Sequence, residues 1–176
     1  MTFAFRLETP ETISPEQESS SVYDPELDDI RSVLRDLCAS LAELPEVRFT
    51  LVLGEPLPLS IRRDLAIVME QLGDVIYNLR TAGAAALDLY EQGLEVQLAL
   101  TVEGEQTKIE LRDLLERPMS GREDHAPRDA VARCLNLLAR TFVDAARRRS
   151  PQRAAHPWFE EWARSLLALL PTDATS

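Results

Sequence analysis

Several residue types on which enzyme and metal sites depend are scarce in this sequence. Its 176 residues include only two histidines, two cysteines and six glycines. A metal site needs His, Cys or carboxylate ligands that converge at usable spacing. His125 and His156 stand far apart, each close to a proline in a predicted loop. We therefore predict two unrelated surface histidines, no bound metal and no cofactor.

The shortage of glycine also weighs against a nucleotide-binding loop, which presents backbone N–H groups in a glycine-rich turn between a strand and a helix. The nearest candidate, Gly54-Glu55-Pro56, has one glycine, an acidic residue and a proline without the N–H donor. No Gly-x-Ser-x-Gly motif is present, and a serine near a histidine, such as Ser120 near His125, arises often by chance. We expect that the chain has no catalytic residues and is not an enzyme.

Long apolar runs are missing as well. None approaches the ~20 residues that span a bilayer, and the N-terminus lacks the basic-then-apolar pattern of a signal peptide. The expected location is the cytoplasm. Cys38 and Cys134 fall on the apolar sides of predicted helices, so we interpret them as buried free thiols. A disulfide between them would need an oxidising compartment.

Acidic residues, in contrast, are abundant and unevenly placed. The formal net charge is -11; residues 1–46 hold eleven Asp and Glu against three Arg, whereas residues 122–170 hold nine Arg against six Asp and Glu. An acidic front repels nucleic acid and anionic membranes and attracts basic proteins. The charge therefore predicts a protein partner and neither nucleic-acid nor membrane binding.

Hydrophobic periodicity predicts one α+β domain over residues 1–176. Its first half contains a short strand near Phe3, a flexible acidic arm at about 9–23, a helix that begins at Asp24-Pro25 with Leu27 on its apolar face, and a strand at 47–53. The second half follows a break at 54–58: a helix capped by Ser60 and ended by Gly83, three strands, a polar connection at 115–126, helices that begin at Pro127 and Pro157, and a short polar tail at 171–176.

The three central strands show the clearest pattern. Apolar residues alternate with polar ones from Leu94 to Val102 and from Thr107 to Leu111, with turns between them. This pattern predicts an antiparallel β-meander with helices packed on one face and the other face wet. We predict that the wet face and its turns, together with the first helix, bind the partner, through Asp28, Asp29, Asp88, Glu95, Gln97, Glu103, Glu105 and Glu110. The alternative is that these are ordinary solvated charges, as we expect for Glu160 and Glu161.

Two other clusters have more than one interpretation. Arg147, Arg148, Arg149 and Arg153 suit a helix C-terminus, but could also contact the acidic arm or an acidic patch on a partner. Trp158, Phe159 and Trp162 have helical spacing that is typical of a core, although an aromatic patch also suits an interface. Whether the chain is a monomer or a homodimer stays open.

The stretch Leu87-Asp88-Leu89-Tyr90-Glu91-Gln92-Gly93-Leu94-Glu95, continued through Leu111 and preceded by a helix and a Gly-Glu-Pro break, resembles small bacterial immunity proteins of polymorphic toxin systems. The resemblance covers about residues 47–114. It implies an acidic, single-domain α+β protein of the cytoplasm, without an active site, that binds a cognate toxin domain and occludes or distorts the toxin's active site. Many such toxins are basic nucleases, which would give the acidic surface a purpose.

A secretion chaperone of the type III kind is the main alternative, because those proteins are also small, acidic and α+β. Dimerisation through a central helix and exposed apolar grooves would favour the chaperone, whereas a monomer with one acidic concave face would favour an immunity protein. An enzyme with an unrecognised site is the third possibility, which a tight cluster of buried carboxylates in a pocket would support.

Overall fold

The computed structural model describes residues 3–16, 22–89, 96–113 and 122–170. The elements in these ranges are, in chain order, β1 (Ala4–Glu8), α1 (Ile30–Leu41), β2 (Arg48–Leu53), β3 (Glu55–Leu59), a π-helical turn (Ile61–Leu65), α2 (Ala66–Thr81), β4 (Ala84–Leu89), β5 (Val96–Glu103), β6 (Gln106–Asp113), β7 (Arg122–Pro127), α3 (Arg128–Arg149), α4 (Pro151–Ala154) and α5 (Pro157–Ala168). None of the helices in these ranges combines the length and the apolar character that crossing a membrane requires.

The strands form two antiparallel sheets, and the predicted α+β class is confirmed. One sheet has the order β1-β2-β3 and the other the order β4-β5-β6-β7. The second sheet contains the predicted meander and one strand more. Helix α2 packs on β4, and α3 contacts β1, β6 and β7, so the helices cover one face of the meander.

The break predicted at 54–58 is wrong, because Glu55–Leu59 forms strand β3 of a tight hairpin with β2. Gly54 makes the turn with a φ of 73°, a left-handed conformation that glycine adopts without strain. Pro56 and Pro58 cannot donate hydrogen bonds, and they are tolerated here because β3 is an edge strand. The prolines that indicated a break are therefore compatible with a strand.

The polar connection predicted at 115–126 is also wrong over its last five residues. Residues 122–127 form β7, which pairs with β6 as the outer strand of the second sheet. Its side chains alternate: Asp124 and Ala126 are buried, while Glu123 and His125 are exposed. Charged residues on an outer strand discourage pairing with other molecules, and they also hide the strand from hydrophobicity patterns.

Helix α1 begins at Ile30 with Asp29 as its N-cap, five residues later than the predicted N-cap Asp24. The Oδ1 atom of Asp29 accepts a hydrogen bond of 2.8 Å from the Arg31 N–H and so caps the helix. Asp24 instead closes a separate turn, in which its backbone carbonyl accepts from the N–H of Asp28 at 2.7 Å. The prediction that Leu27 lies on the apolar face is consequently wrong, because its side chain is 85% exposed.

The C-terminal helices supply much of the core. Phe142 of α3 and Phe159 of α5 are fully buried, and Trp162 packs edge-on against Phe142 with ring centroids 6.0 Å apart. Trp158 and Trp162 are half-buried against this cluster. Within the described residues, most of the aromatic patch is therefore core.

The arginines at the end of α3 hold the N-terminal acidic segment. Arg149 donates to the carbonyl of Ser14 at 3.0 Å and to the Ser40 hydroxyl at 3.1 Å, and its own carbonyl accepts from the Glu16 N–H at 2.8 Å. Arg153 forms an ion pair with Glu16. Of the interpretations of these arginines, the structure shows contact with the arm of the same chain. Of the arm predicted at 9–23, residues 9–16 and 22–23 are described, and the tail at 171–176 lies outside the described residues.

Candidate functional site

The polar face of the β4–β7 sheet holds three of the eight residues predicted to bind a partner. Asp88, Gln97 and Glu110 lie there on β4, β5 and β6, and Glu103 and Glu105 lie at the turn that joins β5 to β6. Glu95 lies outside the described residues. The sequence prediction that the meander has one polar face is confirmed by the burial pattern, in which buried and more exposed residues alternate along β6.

Two carboxylates on this face, Glu110 and Glu123, are paired with neighbouring cations. Lys108 Nζ lies 3.2 Å from an oxygen of Glu110 and 3.2 Å from an oxygen of Glu123. Arg112 Nη2 lies 2.8 Å from the other oxygen of Glu110. The hydrogen bonds from Arg112 and Lys108 hold the pKa of Glu110 below its usual value. Glu110 therefore already has two cationic partners, so its charge is a weak attraction for a basic protein.

Asp88 and Glu103 also contact other side chains of the fold. Gln97 Nε2 donates to Asp88 Oδ1 at 2.8 Å, and Gln71 of α2 exchanges hydrogen bonds of 2.9 and 3.0 Å with the Asp88 backbone. At the turn, Glu103 lies 3.8 Å from the imidazole of His125. These contacts position the side chains, but the donor to Asp88 is a neutral amide, so the negative charge of Asp88 is not cancelled.

Asp28 and Asp29 lie at a different place, immediately before α1, in a segment that we call the acidic turn (residues 22–29). Helix α1 packs on the π-helical turn, α2, α3, α4 and α5. The structure therefore divides the predicted binding residues between the sheet face and the acidic turn.

The acidic turn is fixed by local hydrogen bonds and by aromatic contacts. Asp24 Oδ1 accepts from the Glu26 N–H at 2.8 Å, and Asp28 Oδ2 accepts from the Asp24 N–H at 2.9 Å. Hydrogen bonds from Ser32 and from the Asp24 backbone keep the pKa of Asp28 below its usual value. These contacts give the turn a defined shape without a partner.

Tyr23 attaches the turn to the helices. Its hydroxyl donates to Asp36 Oδ2 of α1 at 3.0 Å, and its ring lies edge-on to His156 with centroids 5.1 Å apart. The Trp158 ring lies 6.2 Å away, and His156 caps α5 by accepting from the Trp158 N–H. His156 thus has a structural position at the start of α5.

Two large apolar side chains project from this ordered turn. Val22 is 91% exposed and Leu27 is 85% exposed, the highest values among the exposed large hydrophobic residues of the described ranges. Four carboxylates accompany them, and residues 22–29 contain no Lys or Arg; the four are Asp24, Glu26, Asp28 and Asp29. Val22 and Leu27, on an ordered turn whose sequence also carries four carboxylates, are therefore the candidate contact surface.

The sequence does not reveal the exposure of Leu27, because the spacing of Leu27 matches the apolar stripe of α1 and so predicts a buried side chain. The available signal was the second possible cap: Asp29 is as good an N-cap residue as Asp24. A helix that begins after Asp29 leaves Leu27 outside the stripe.

Catalytic groupings are sparse in the part of the chain that is described. No group of three His, Cys, Asp or Glu side chains there could hold a metal ion. Three carboxylates are buried, but they do not form one cluster: Asp64 lies in the π-helical turn, Asp113 pairs in register with Val96, and Asp124 pairs with Ile109. Ser120 lies outside the described residues.

Comparison of the chain with models of protein families, with curated proteins and with solved structures finds no match.

Proposed function

We propose that this chain is a non-catalytic protein-binding module, and specifically a cytoplasmic immunity protein that binds a basic toxin domain and blocks its activity. The observation that carries this proposal is Leu27, whose side chain is 85% exposed in the acidic turn. Leu27 is the anchor of the interface, and the carboxylates around it select a basic partner.

The order already present in the acidic turn favours tight binding. A segment that must fold on binding loses conformational entropy, whereas a turn held by its own hydrogen bonds loses little. Complete burial of a leucine side chain contributes about 1.5–3 kcal/mol.

The carboxylates contribute mainly to rate and specificity. Asp24, Glu26 and Asp29 are exposed, and Asp28 is half-buried. Their combined field accelerates encounter with a basic surface and repels acidic ones. This effect weakens with salt, because exposed charges are screened over about 8 Å at physiological ionic strength.

The polar face of the β4–β7 sheet is the second candidate surface. Charge reversal at Glu95 and Glu110 stays a prediction of weaker partner binding without unfolding. Since Glu110 already contacts Lys108 and Arg112, we expect a smaller effect there than at the acidic turn. If substitution of Glu110 raised the Kd for the partner more than substitution of Leu27, the interface would lie on the sheet.

The test begins with affinity capture by the tagged protein from its native bacterium, with mass spectrometry of the retained proteins and the products of adjacent genes checked first. We expect one basic domain in stoichiometric amount, whose toxicity this chain suppresses when the two are co-expressed. Leu27→Ser should then raise the Kd about tenfold to a hundredfold, the effect of losing about 1.5–3 kcal/mol.

A matched control is available in Leu137→Ser. Leu137 is also exposed, at 65%, but belongs to α3, so this change should leave the Kd unaltered. Equal Kd values for the wild-type chain and Leu27→Ser would exclude the acidic turn. A captured domain whose activity is unaffected would contradict the immunity role, and a secreted protein held through an extended segment would indicate a chaperone instead.

A further inference from the structure

A cleft of about 470 Å³ lies between α1 and the start of α2. It is lined by four arginines and two carboxylates: Arg31, Arg35, Arg62, Arg63, Asp36 and Glu70. The first two arginines come from α1 and the other two from the π-helical turn. In a chain with a net charge of -11, this concentration of guanidinium groups around one cavity is a local reversal of sign.

The α1 side of the cleft has guanidinium donors with only weak internal acceptors. Arg31 Nε lies 3.9 Å from Asp29 and 3.9 Å from Glu70, and its side chain is 66% exposed. At that separation neither contact is a hydrogen bond, and exposed ion pairs of this kind contribute little to stability. An anion that approached to 2.8–3.0 Å would be a better acceptor, by ordinary hydrogen-bond geometry.

The other side of the cleft is fixed in place. The Ser60 N–H donates to Asp64 Oδ2 at 2.6 Å, and the Ser60 hydroxyl accepts from the Arg63 N–H at 3.3 Å. These bonds fix the backbone of Arg62 and Arg63 in the first turn of the continuous helical stretch at 61–81. Cations are unfavourable at that end of a helix, and the buried Asp64 in the same turn offsets them in part. A bound anion would add to that compensation at Arg62.

Glu70 and the apolar floor decide which anion fits. Glu70 has a side chain that is 21% exposed; burial raises its pKa, and Arg31 and Arg35 oppose the increase. A bare inorganic anion leaves this carboxylate without a donor and is repelled by it. A ligand with hydroxyl or amino groups could donate to Glu70, while Ala39, which is half-buried in the lining, offers an apolar surface to its carbon skeleton.

We propose that this cleft binds a small organic phosphate that carries hydroxyl or amino groups, of the class of sugar phosphates and nucleoside monophosphates. The arginines hold the phosphate in forked hydrogen bonds, and Glu70 accepts from the organic part. The cleft has the size of a small-molecule site, which is typically about 300–1,000 Å³. This proposal is independent of the immunity role, because it uses neither Leu27 nor a protein partner.

The test is calorimetric titration at about 0.15 M salt, with AMP, ribose 5-phosphate, adenosine and inorganic phosphate as probes, and with amide chemical shifts to locate the site. We expect AMP to bind at least about tenfold more tightly than adenosine or inorganic phosphate, the difference that one charged hydrogen bond makes. Equal binding of ribose 5-phosphate and AMP would identify the sugar phosphate as sufficient, and binding of AMP alone would identify a nucleoside monophosphate.

Variants distinguish binding in the cleft from non-specific attraction of phosphate to exposed arginines. Arg62→Gln should weaken AMP binding about tenfold, whereas Arg164→Gln, which changes an exposed arginine of α5, should not. Glu70→Gln should bring the affinities for AMP and inorganic phosphate closer together, because a neutral amide oxygen is a weaker acceptor than the carboxylate and does not repel the anion. Three results would each overturn the proposal. They are the absence of saturable binding of AMP and ribose 5-phosphate, binding of inorganic phosphate as tight as that of AMP, and an Arg62→Gln variant with unchanged affinity for AMP.

Discussion

The ion pair between Glu16 and Arg153 joins the N-terminal segment to α4, and we predict that Glu16→Ala weakens the fold at neutral pH. Both side chains are largely buried, with exposed fractions of 15% and 14%. The Ser40 hydroxyl also donates to Glu16 Oε2 at 2.5 Å. Removing the carboxylate therefore leaves a buried cation and a buried hydroxyl without this acceptor.

The expected loss is about 2 kcal/mol, because a hydrogen bond to a charged group contributes about 1.5–3 kcal/mol to stability. For a chain of this length, 1 kcal/mol corresponds to a shift in Tm of about 2–4 °C. Glu16→Ala should therefore lower the Tm by about 4–8 °C. The Glu16 N–H, which donates to the Arg149 carbonyl, should also exchange faster with solvent, since the segment opens more often.

The effect should depend on pH. Burial of the Glu16 carboxylate tends to raise its pKa, but hydrogen bonds from Ser40, Ser150 and Arg153 outweigh burial and hold the pKa below the usual 4.5. A carboxylate with a depressed folded pKa contributes its full stability above the unfolded pKa, and this contribution is lost as the pH falls through the folded pKa. The difference between wild type and Glu16→Ala should therefore be constant above about pH 4.5 and shrink below it.

Thermal unfolding followed by circular dichroism at pH 7 and at pH 3 measures both effects. Glu11→Ala is the matched control, because only the backbone carbonyl of Glu11 accepts from Arg148 and its side chain is exposed. That change should stay within about 0.5 kcal/mol of wild type. A loss for Glu16→Ala no larger than for Glu11→Ala at pH 7, or an undiminished loss at pH 3, would refute the reasoning.

Two further predictions concern the thiols and the glycines. Burial raises the pKa of Cys38 and of Cys134, so a thiol reagent at pH 8 should label Cys134 slowly and Cys38 only after unfolding; rapid labelling of both in the native protein would contradict their positions. Gly83→Ala should destabilise the fold by about 1–2 kcal/mol, because Gly83 has a φ of 70°. Gly73→Ala should stabilise it by about 0.5–1 kcal/mol, since a Cβ there meets only Leu169, at 4.0 Å. Urea unfolding measures the change in the free energy of unfolding for each glycine variant, and changes of the same sign would contradict the prediction.

Most of the fold could be predicted because its elements carry strong local signals. Helix α3 begins at Arg128 and α5 at Pro157, where the prolines and the apolar periodicity place them. The alternation from Val96 to Glu103 and from Gln106 to Asp113 indicates the two central strands of the larger sheet. These signals are local, so no tertiary contact is needed to interpret them.

The two missed strands lie at sheet edges, where local signals are weakest. β3 contains Pro56 and Pro58, which oppose a central strand but not an outer one. β7 alternates correctly, but its buried residues include the polar Asp124, so hydrophobicity cannot identify its inner face. Both strands depend on pairing with a neighbouring strand, β2 for β3 and β6 for β7, and a local sequence pattern does not contain that pairing.

The candidate binding site was predicted only in part, for a similar reason. The acidic character of Asp28 and Asp29 can be read from the sequence, but the exposure of Leu27 cannot. The helix begins after Asp29 and not after Asp24. In the segment before it, Tyr23 contacts Asp36 and the ring of His156. That last contact joins positions more than a hundred residues apart in the chain, and no local pattern contains it.

The arginine cleft shows the limit of arguing from net charge. A total of -11 predicts that the chain repels anions, and at long range in dilute salt it should. Screening reduces the interaction between exposed charges beyond about 8 Å at physiological ionic strength, so a bound anion experiences mainly the side chains that line its own site. The acidic turn and the cleft adjoin at the start of α1, since Asp28 and Asp29 precede the helix, Arg31 and Arg35 line the cleft, and Arg31 lies 3.9 Å from Asp29. The sign of charge that this protein attracts is consequently a property of each surface, and the two proposals can be true together.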